Sequence, residues 1–312
     1  MKTAEDATGE SDYVEHLLVG DTHATLLLFT NTGRVYAERV FMIPNMDRTG
    51  KGRGLRQVFD LQDNETVAAM VTIDGFTDDK CAFLCTANGT VKKTTLSEYA
   101  NVRKAGIIAI GIDDGDALIG ARVVSAGNEV VLVTHEGMSI RFNQADARAM
   151  GRSAYGVTGI RLETGDRVVS LEVVDPTATL LVASDHGVGK RTSFDDYRVQ
   201  TRGGKGIITM KTSKKSGLVV GATAVHDTDQ LILVTSRGQV VRQSVAEIRE
   251  AGRATTGVTL IRLDEGPRLY SNIVGTPYAE IRIGMAVQAV FAPVTDSITL
   301  VKFQASTSRN PS

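Results

Sequence analysis

An apolar strand followed by a turn of the form Thr/Ser-x-x-Gly occurs five times in this chain, and that recurrence limits the fold more than any other feature. The copies are LLLFTNTGRVY (26–36), AFLCTANGTVKK (82–93), VVLVTHEGMSIR (130–141), LLVASDHGVGKR (180–191) and LILVTSRGQVVR (231–242). Their turn glycines, Gly33, Gly89, Gly137, Gly187 and Gly238, stand 56, 48, 50 and 51 residues apart. Each copy reads as a β-hairpin closed by a short glycine turn. A second module follows each hairpin: a Gly/Arg/Lys loop, a short apolar strand, a turn and another strand, at 51–73, 104–124, 151–174, 203–225 and 252–274. Connecting segments such as 193–200 and 244–251 read as a helical turn or an extended crossover. The expectation is an all-β, propeller-like ring or solenoid, because one four-stranded unit cannot cover its own apolar faces and a stack of units can. Two unrelated β-sandwiches would not place five turns in register.

The repeats lie near 20–73, 80–124, 128–174, 178–225 and 229–274. Residues 1–19, ending in SDYVEHLLVG, read as the back half of a sixth unit, so a ring of five to six positions is expected. After Val274 the pattern stops. Residues 278–304 hold two or three alternating strands without the glycine turn, which either close the ring or are foreign to it. The final ASTSRNPS reads as disordered.

One loop departs from the regular pattern: Gln200-Thr201-Arg202-Gly203-Gly204-Lys205-Gly206. Three glycines let backbone N–H groups approach an anion closely, and two cations supply fixed charge. From Lys190 to Lys215 eight Lys or Arg stand against Asp195 and Asp196, a net +6 in a chain whose overall charge is −1. Local concentration of cations suits a surface that tracks phosphates, since each neutralised phosphate releases counterions. A solvated Gly/Lys turn between strands is the alternative. A nucleotide P-loop is a poor third option, because Lys205 is followed by Gly206 and not by Ser or Thr.

The composition gives catalysis little to work with. His16, His23, His135, His186 and His226 are scattered, and the adjacency of Ser184, Asp185 and His186 is not triad geometry. Asp113, Asp114 and Asp116 lack the glycine and glutamate of a calcium loop. Cys81 and Cys85 would share one strand face as buried free thiols, too few for a closed zinc site. No metal, no cofactor and no catalytic residue is expected. The polar start MKTAEDATGESD is no signal peptide, and no apolar run reaches membrane-spanning length. A cytoplasmic, monomeric domain is the expectation.

Loop and repeat together resemble the C-terminal domain of the DNA gyrase A protein. The gyrase consensus Gln-Arg-Arg-Gly-Gly-Lys-Gly matches 200–206 at every position but Thr201. Further similar phrases run at 12–36, 153–174 and 247–266, and the resemblance covers roughly residues 8–274. It implies a β-pinwheel, a disk of blades that exchange strands, with double-stranded DNA bent around its rim. The implied partners are the cleavage core of the gyrase A protein, together with the gyrase B protein, in a bacterial, nucleoid-associated setting. The equivalent loops of the other repeats carry Arg48, Lys51, Arg53 and Arg56; Arg103 and Lys104; Arg148 and Arg152; and Arg249 and Arg253. With Lys190, Arg191 and Arg198 beside the 200–206 loop, these are the expected DNA contacts, made to the backbone without base readout.

Two departures accompany the resemblance. The family's principal box lies in the first blade, ahead of the segment that matches residues 1–19, and the loop at 200–206 resembles a second copy carried in a late blade. The tail, with RIGMAVQAVF and LVKF, is similar to the closing strands of an OB-fold domain. Topoisomerase IV offers a related reading, although its box is usually degraded. A protein-interaction scaffold without DNA binding is the reading from another class, and the salt dependence of DNA affinity separates the two.

Overall fold

The computed structural model describes residues 16, 18, 20–45, 53–102, 104–234 and 240–261, and the backbone of 287–295 and 298–305. It divides into two compact units, 1–263 and 264–312. In the first, the hairpins are β1 (Thr25–Thr30) with β2 (Arg34–Arg39), β4 (Lys80–Thr86) with β5 (Thr90–Thr95), and β8 (Glu129–Thr134) with β9 (Met138–Asn143). Two more follow, β12 (Thr179–Ser184) with β13 (Val188–Ser193), and β16 (Gln230–Val234) with β17 (Val240–Ser244). Long strands β3 (Val67–Ile73), β7 (Leu118–Ser125), β11 (Val168–Val173) and β15 (Val219–Val225) complete one edge of each of the first four sheets. The opposite edge is a two-residue strand: β6 (Ile107–Ile108), β10 (Val157–Thr158), β14 (Ile207–Ile208) or β18 (Val258–Thr259).

Those short strands come from the following repeat. The four sheets run β3-β1-β2-β6, β7-β4-β5-β10, β11-β8-β9-β14 and β15-β12-β13-β18, so every blade is completed by its successor. A repeat does carry four strands, as the periodicity indicates, but one of the four belongs to the neighbouring sheet. The long edge strands lie side by side, β3 against β7, β7 against β11 and β11 against β15.

The first strands of the hairpins read as continuous apolar runs because both of their faces are covered. In β4, Ala82 and Leu84 enter the core shared with the first blade, while Phe83 and Cys85 enter the core shared with the third. In β8, Val130 and Leu132 face backward, and Val131 and Val133 face forward. Each blade is thus a sheet between two cores. Cys81 and Cys85 are free and face the same core, with Cys85 buried and its thiol pushed up by desolvation.

The turn glycines do two things. Gly33, Gly89, Gly137 and Gly187 have φ between +70° and +85°, the left-handed conformation that closes the three-residue hairpin turn. Each also presents its carbonyl to two N–H groups of the next repeat, as Gly137 does to Thr209 at 2.8 Å and Met210 at 3.2 Å. The Thr or Ser three residues earlier supports the turn: Thr134 Oγ1 accepts from the N–H of Met138 at 3.1 Å. One motif therefore shapes the hairpin and latches adjacent blades.

In the first blade a carboxylate ties the turn. Buried Glu65 accepts from Thr30 Oγ1 at 3.0 Å, Thr32 Oγ1 at 2.8 Å, Tyr36 Oη at 2.5 Å and the Gln62 N–H at 2.7 Å. Burial acts to raise its pKa, but the hydrogen bonds outweigh burial and hold it below the ordinary 4.5. Its stabilisation is therefore complete above the unfolded value and is lost as pH falls through the lower folded value. Glu65→Gln is expected to lower stability by about 2 kcal/mol at neutral pH. In urea melts the gap to wild type should narrow in the acid range. A gap independent of pH would show that no ionised carboxylate acts there.

One sequence expectation is altered. Residues Leu55–Val58 form one helical turn where later repeats place the donated strand. A two-residue strand has no stability without a sheet edge to join, and no earlier sheet is present among the described residues. The connecting segments are both things expected of them, a 3-10 turn such as Phe194–Asp196 followed by extended chain. Most of the half repeat at 1–19, and residues 262–274 of the fifth, lie outside the described residues. The second unit contains an antiparallel hairpin, β19 (Val287–Thr295) and β20 (Ile298–Ala305), with a register shift between Pro293 and Thr295. Among the described residues no helix is long and apolar enough to cross a membrane.

Candidate nucleic-acid interface

The loop 200–206 is strapped across the preceding repeat. Gln200 N–H donates to Arg141 O at 2.8 Å, Gly203 N–H to Gly159 O at 2.6 Å, and Arg161 N–H to Gly204 O at 2.8 Å. Its glycines answer to different demands. Gly206 has φ +77°, and an added Cβ would stand 2.3 Å from Ser139 O. Gly106, Gly156 and Gly257 hold the same place before the other donated strands and also have positive φ. The last glycine of the loop is thus fixed by strand exchange. Gly203 needs its φ of +78°, whereas Gly204 would hold a Cβ in ordinary contact with Ile140. Packing alone does not demand glycine at 204, and its missing side chain leaves backbone open to close approach from outside.

The cations divide into three groups. Arg202 is half-buried; its Nε donates to Asp146 O at 2.9 Å and its Nη1 to Thr158 O at 3.0 Å. Arg253 repeats the second contact one blade later, Nη1 to Ile208 O at 2.9 Å. Arg152 holds the equivalent place, with Nε 3.8 Å from Glu98 Oε2. Backbone carbonyls do not neutralise charge, so Arg202 and Arg253 are oriented guanidiniums with their charge still available. Lys205 is exposed and donates to Glu163 Oε1 at 2.7 Å, which holds the Glu163 carboxyl below its usual range.

The second group is exposed on the connecting segments. Arg198 recurs as Arg148 and Arg249, fifty and fifty-one residues away, all three exposed. Thr201, Lys104 and Arg53 are exposed as well. Lys51 and Arg103, with Arg48, lie outside the described residues.

The third group corrects the sequence reading. Lys190 exposes no surface and Arg191 is 8% exposed, so neither can meet a ligand at the rim. They occupy opposite faces of β13, a strand covered on both sides, and their polar ends are spent internally. Arg191 Nε donates to Ile248 O at 2.6 Å and its Nη1 pairs with Asp227. Arg141 does the same one blade earlier, donating to Phe194 O and Tyr197 O while paired with Glu129. These arginines pin the connecting segment that carries the exposed cations. Lys92, fully buried on β5, does not stand out in the sequence, because the strand reads TVKKTT and only the sheet's two covered faces seal it in.

A family model described as DNA gyrase C-terminal domain, beta-propeller, matches residues 24–74, 82–125, 128–175, 178–226 and 229–266. The chain is 46% identical over 255 residues to the DNA gyrase A protein of Clostridium acetobutylicum, covering 82% of this chain and 31% of the relative. It is 44% identical over 262 residues to that of Lawsonia intracellularis, covering 83% and 32%. Against the Escherichia coli K12 protein the identity is 42% over 266 residues, covering 85% and 30%. The chain spans about a third of the length of the curated relatives it matches. Among solved structures it is similar to a DNA gyrase A C-terminal domain, with a TM-score of 0.69 and 28% identity over 78% of this chain and 80% of that one. A DNA topoisomerase IV C-terminal domain gives a TM-score of 0.70 at 25% identity, over 77% and 76%. Blade repeat, strand exchange and glycine-basic loop all fall within the matched segments, and the chain belongs to the DNA gyrase C-terminal domain family.

Proposed function

We propose that this chain binds double-stranded DNA without sequence readout and bends it along the outer edge of its blades, as the wrapping domain of a gyrase A protein. The observation that carries this is the register of the cations. Arg148, Arg198 and Arg249 are exposed at one position of three successive repeats, and Arg152, Arg202 and Arg253 recur beside them. Charges repeating at blade spacing suit a phosphate backbone followed over several contacts, with discrimination left to DNA deformability. The domain itself is non-catalytic. Its partners are the cleavage core of the gyrase A protein, together with the gyrase B protein, within an ATP-dependent type IIA topoisomerase of the bacterial nucleoid. The likeness to a topoisomerase IV domain supports the corresponding domain of that enzyme as the second reading.

The test is topological. The protein is bound to nicked circular DNA, the nick is ligated, the protein is removed, and linking number is read on a chloroquine gel. A shift to positive linking number is the expected result. An unshifted ladder with salt-sensitive gel retardation would remove wrapping and leave binding. An unshifted ladder with no retardation would overturn both and favour a protein-interaction scaffold.

A further inference from the structure

Two lysines are sealed from solvent, and both end beneath rim loops. Lys92 on β5 and Lys190 on β13 stand three residues past the turn glycines Gly89 and Gly187, and neither exposes any surface (0%). Among the described residues neither ammonium meets a carboxylate. Lys190 Nζ donates to the carbonyls of Gly252 and Arg253, each at 2.6 Å, and to Thr192 Oγ1 at 3.3 Å. Lys92 Nζ donates to the carbonyl of Ala109 at 2.7 Å and to that of Arg152. The loops 150–156 and 251–257 are the counterparts of 200–206 in the repeats before and after it.

The direction of those carbonyls settles the direction of their partners. In a trans peptide the C=O and the following N–H point opposite ways. Drawing Gly252 O and Arg253 O inward therefore turns the N–H groups of Arg253 and Ala254 outward. Drawing Arg152 O inward does the same to the N–H of Ser153. None of these three N–H groups has an acceptor among the described residues. Ser153 and Ala254 are exposed, and the guanidiniums of Arg152 and Arg253 belong to the same short segments.

The fold does not require a lysine at this position. In the third repeat the same place, three residues past Gly137, is filled by Ile140, also fully buried. An ammonium in an apolar layer is expensive beside a hydrocarbon. Desolvation lowers both lysines to a pKa of about 8, with Asp196 and Arg253 facing Lys190, and Arg152 and Glu98 facing Lys92. A costly side chain placed in two repeats and dispensable in a third points to a role at the loop above it.

We propose that at loops 151–154 and 252–255 the backbone N–H groups of Ser153, Arg253 and Ala254 join the guanidiniums of Arg152 and Arg253 in binding phosphodiester oxygens. Lys92 and Lys190 are their positioning residues, holding the N–H groups outward from beneath and adding positive charge behind them. The sites rest on the DNA-binding reading and extend it. A phosphate outside favours the charged lysine, so DNA affinity falls as pH rises through about 8, the pKa to which both lysines are lowered.

The experiment uses the whole chain, labelled with nitrogen-15 and titrated with a short DNA duplex. The amide resonances of Ser153, Arg253 and Ala254 are expected to shift on binding. In the variant carrying Lys92→Met and Lys190→Met, affinity should fall on the order of fivefold, and its decline between neutral and alkaline pH should flatten. Wild-type chain that binds the duplex with these three amides silent overturns the sites alone, without reference to how the variant folds. A folded variant with an unchanged pH profile overturns the role of the lysines. Wild-type chain that does not bind DNA at all overturns the reading beneath them.

Discussion

Gly137→Ala is expected to destabilise the domain by about 3 kcal/mol or more, measured by urea denaturation. Two effects add. At φ +85° an alanine enters the left-handed region, at a cost of roughly 1 kcal/mol. Its Cβ would also stand 2.2 Å from Met210 O, a backbone atom of the next repeat that no rotamer change can move aside. Relief requires parting the chain at 209–210 from the turn, which sacrifices the two hydrogen bonds that Gly137 O accepts from Thr209 and Met210. Gly127→Ala separates the two effects. Gly127 has φ +83° but nothing within 4 Å of an added Cβ, so it should lose the conformational part alone. Equal losses in the two variants would mean that the turn glycine shapes the hairpin and does not latch the blades.

That double duty explains how much of the fold was legible. A Thr/Ser-x-x-Gly turn in five copies announces hairpins, and the continuous apolar runs announce strands covered on both faces, as Ala82, Phe83, Leu84 and Cys85 show by alternating between two cores. The destination of Ile107–Ile108, Val157–Thr158 and Ile207–Ile208 was not legible. Two residues have no periodicity, and their pairing depends on an edge supplied by another repeat. Leu55–Val58 shows the consequence, since the same segment of the first repeat is helical.

The loop was legible as chemistry but less so as geometry. Composition marks 200–206 as basic and glycine-rich, yet cannot separate Gly206, needed for the donated strand, from Gly204, which packing leaves free. It cannot separate Arg198 from Arg191 either. Both are cations within the same charged stretch, and only the covered faces of β13 turn one pair inward while the connecting segment after it faces out. Counting charge finds the neighbourhood of an anion site; burial decides which charges remain available. The acids matter equally, because Glu163 accepts from Lys205 at 2.7 Å and offsets part of the charge that the loop presents.

Arg202→Ala combined with Lys205→Ala is expected to weaken DNA binding on all sequences alike and to make the slope of log affinity against log salt shallower by about 2. Each cation that neutralises one phosphate contributes roughly 0.9 to that slope, and contacts to phosphates carry no sequence information. The loss in affinity should exceed that of two ordinary surface charges. Removing Lys205 leaves Glu163 unpaired beside the loop, and removing Arg202 frees Asp146 O and Thr158 O, which hold the loop in position. Adding Glu163→Gln should therefore restore part of the affinity without restoring the slope, since it removes repulsion and adds no cation. Lys214→Ala with Lys215→Ala is the control. It deletes the same net charge from an exposed turn in the same basic stretch. A uniform field would respond equally to either pair, whereas contacts at 202 and 205 respond to one. If the control flattened the salt dependence as much as the loop variant, net charge and not the 200–206 loop would govern binding.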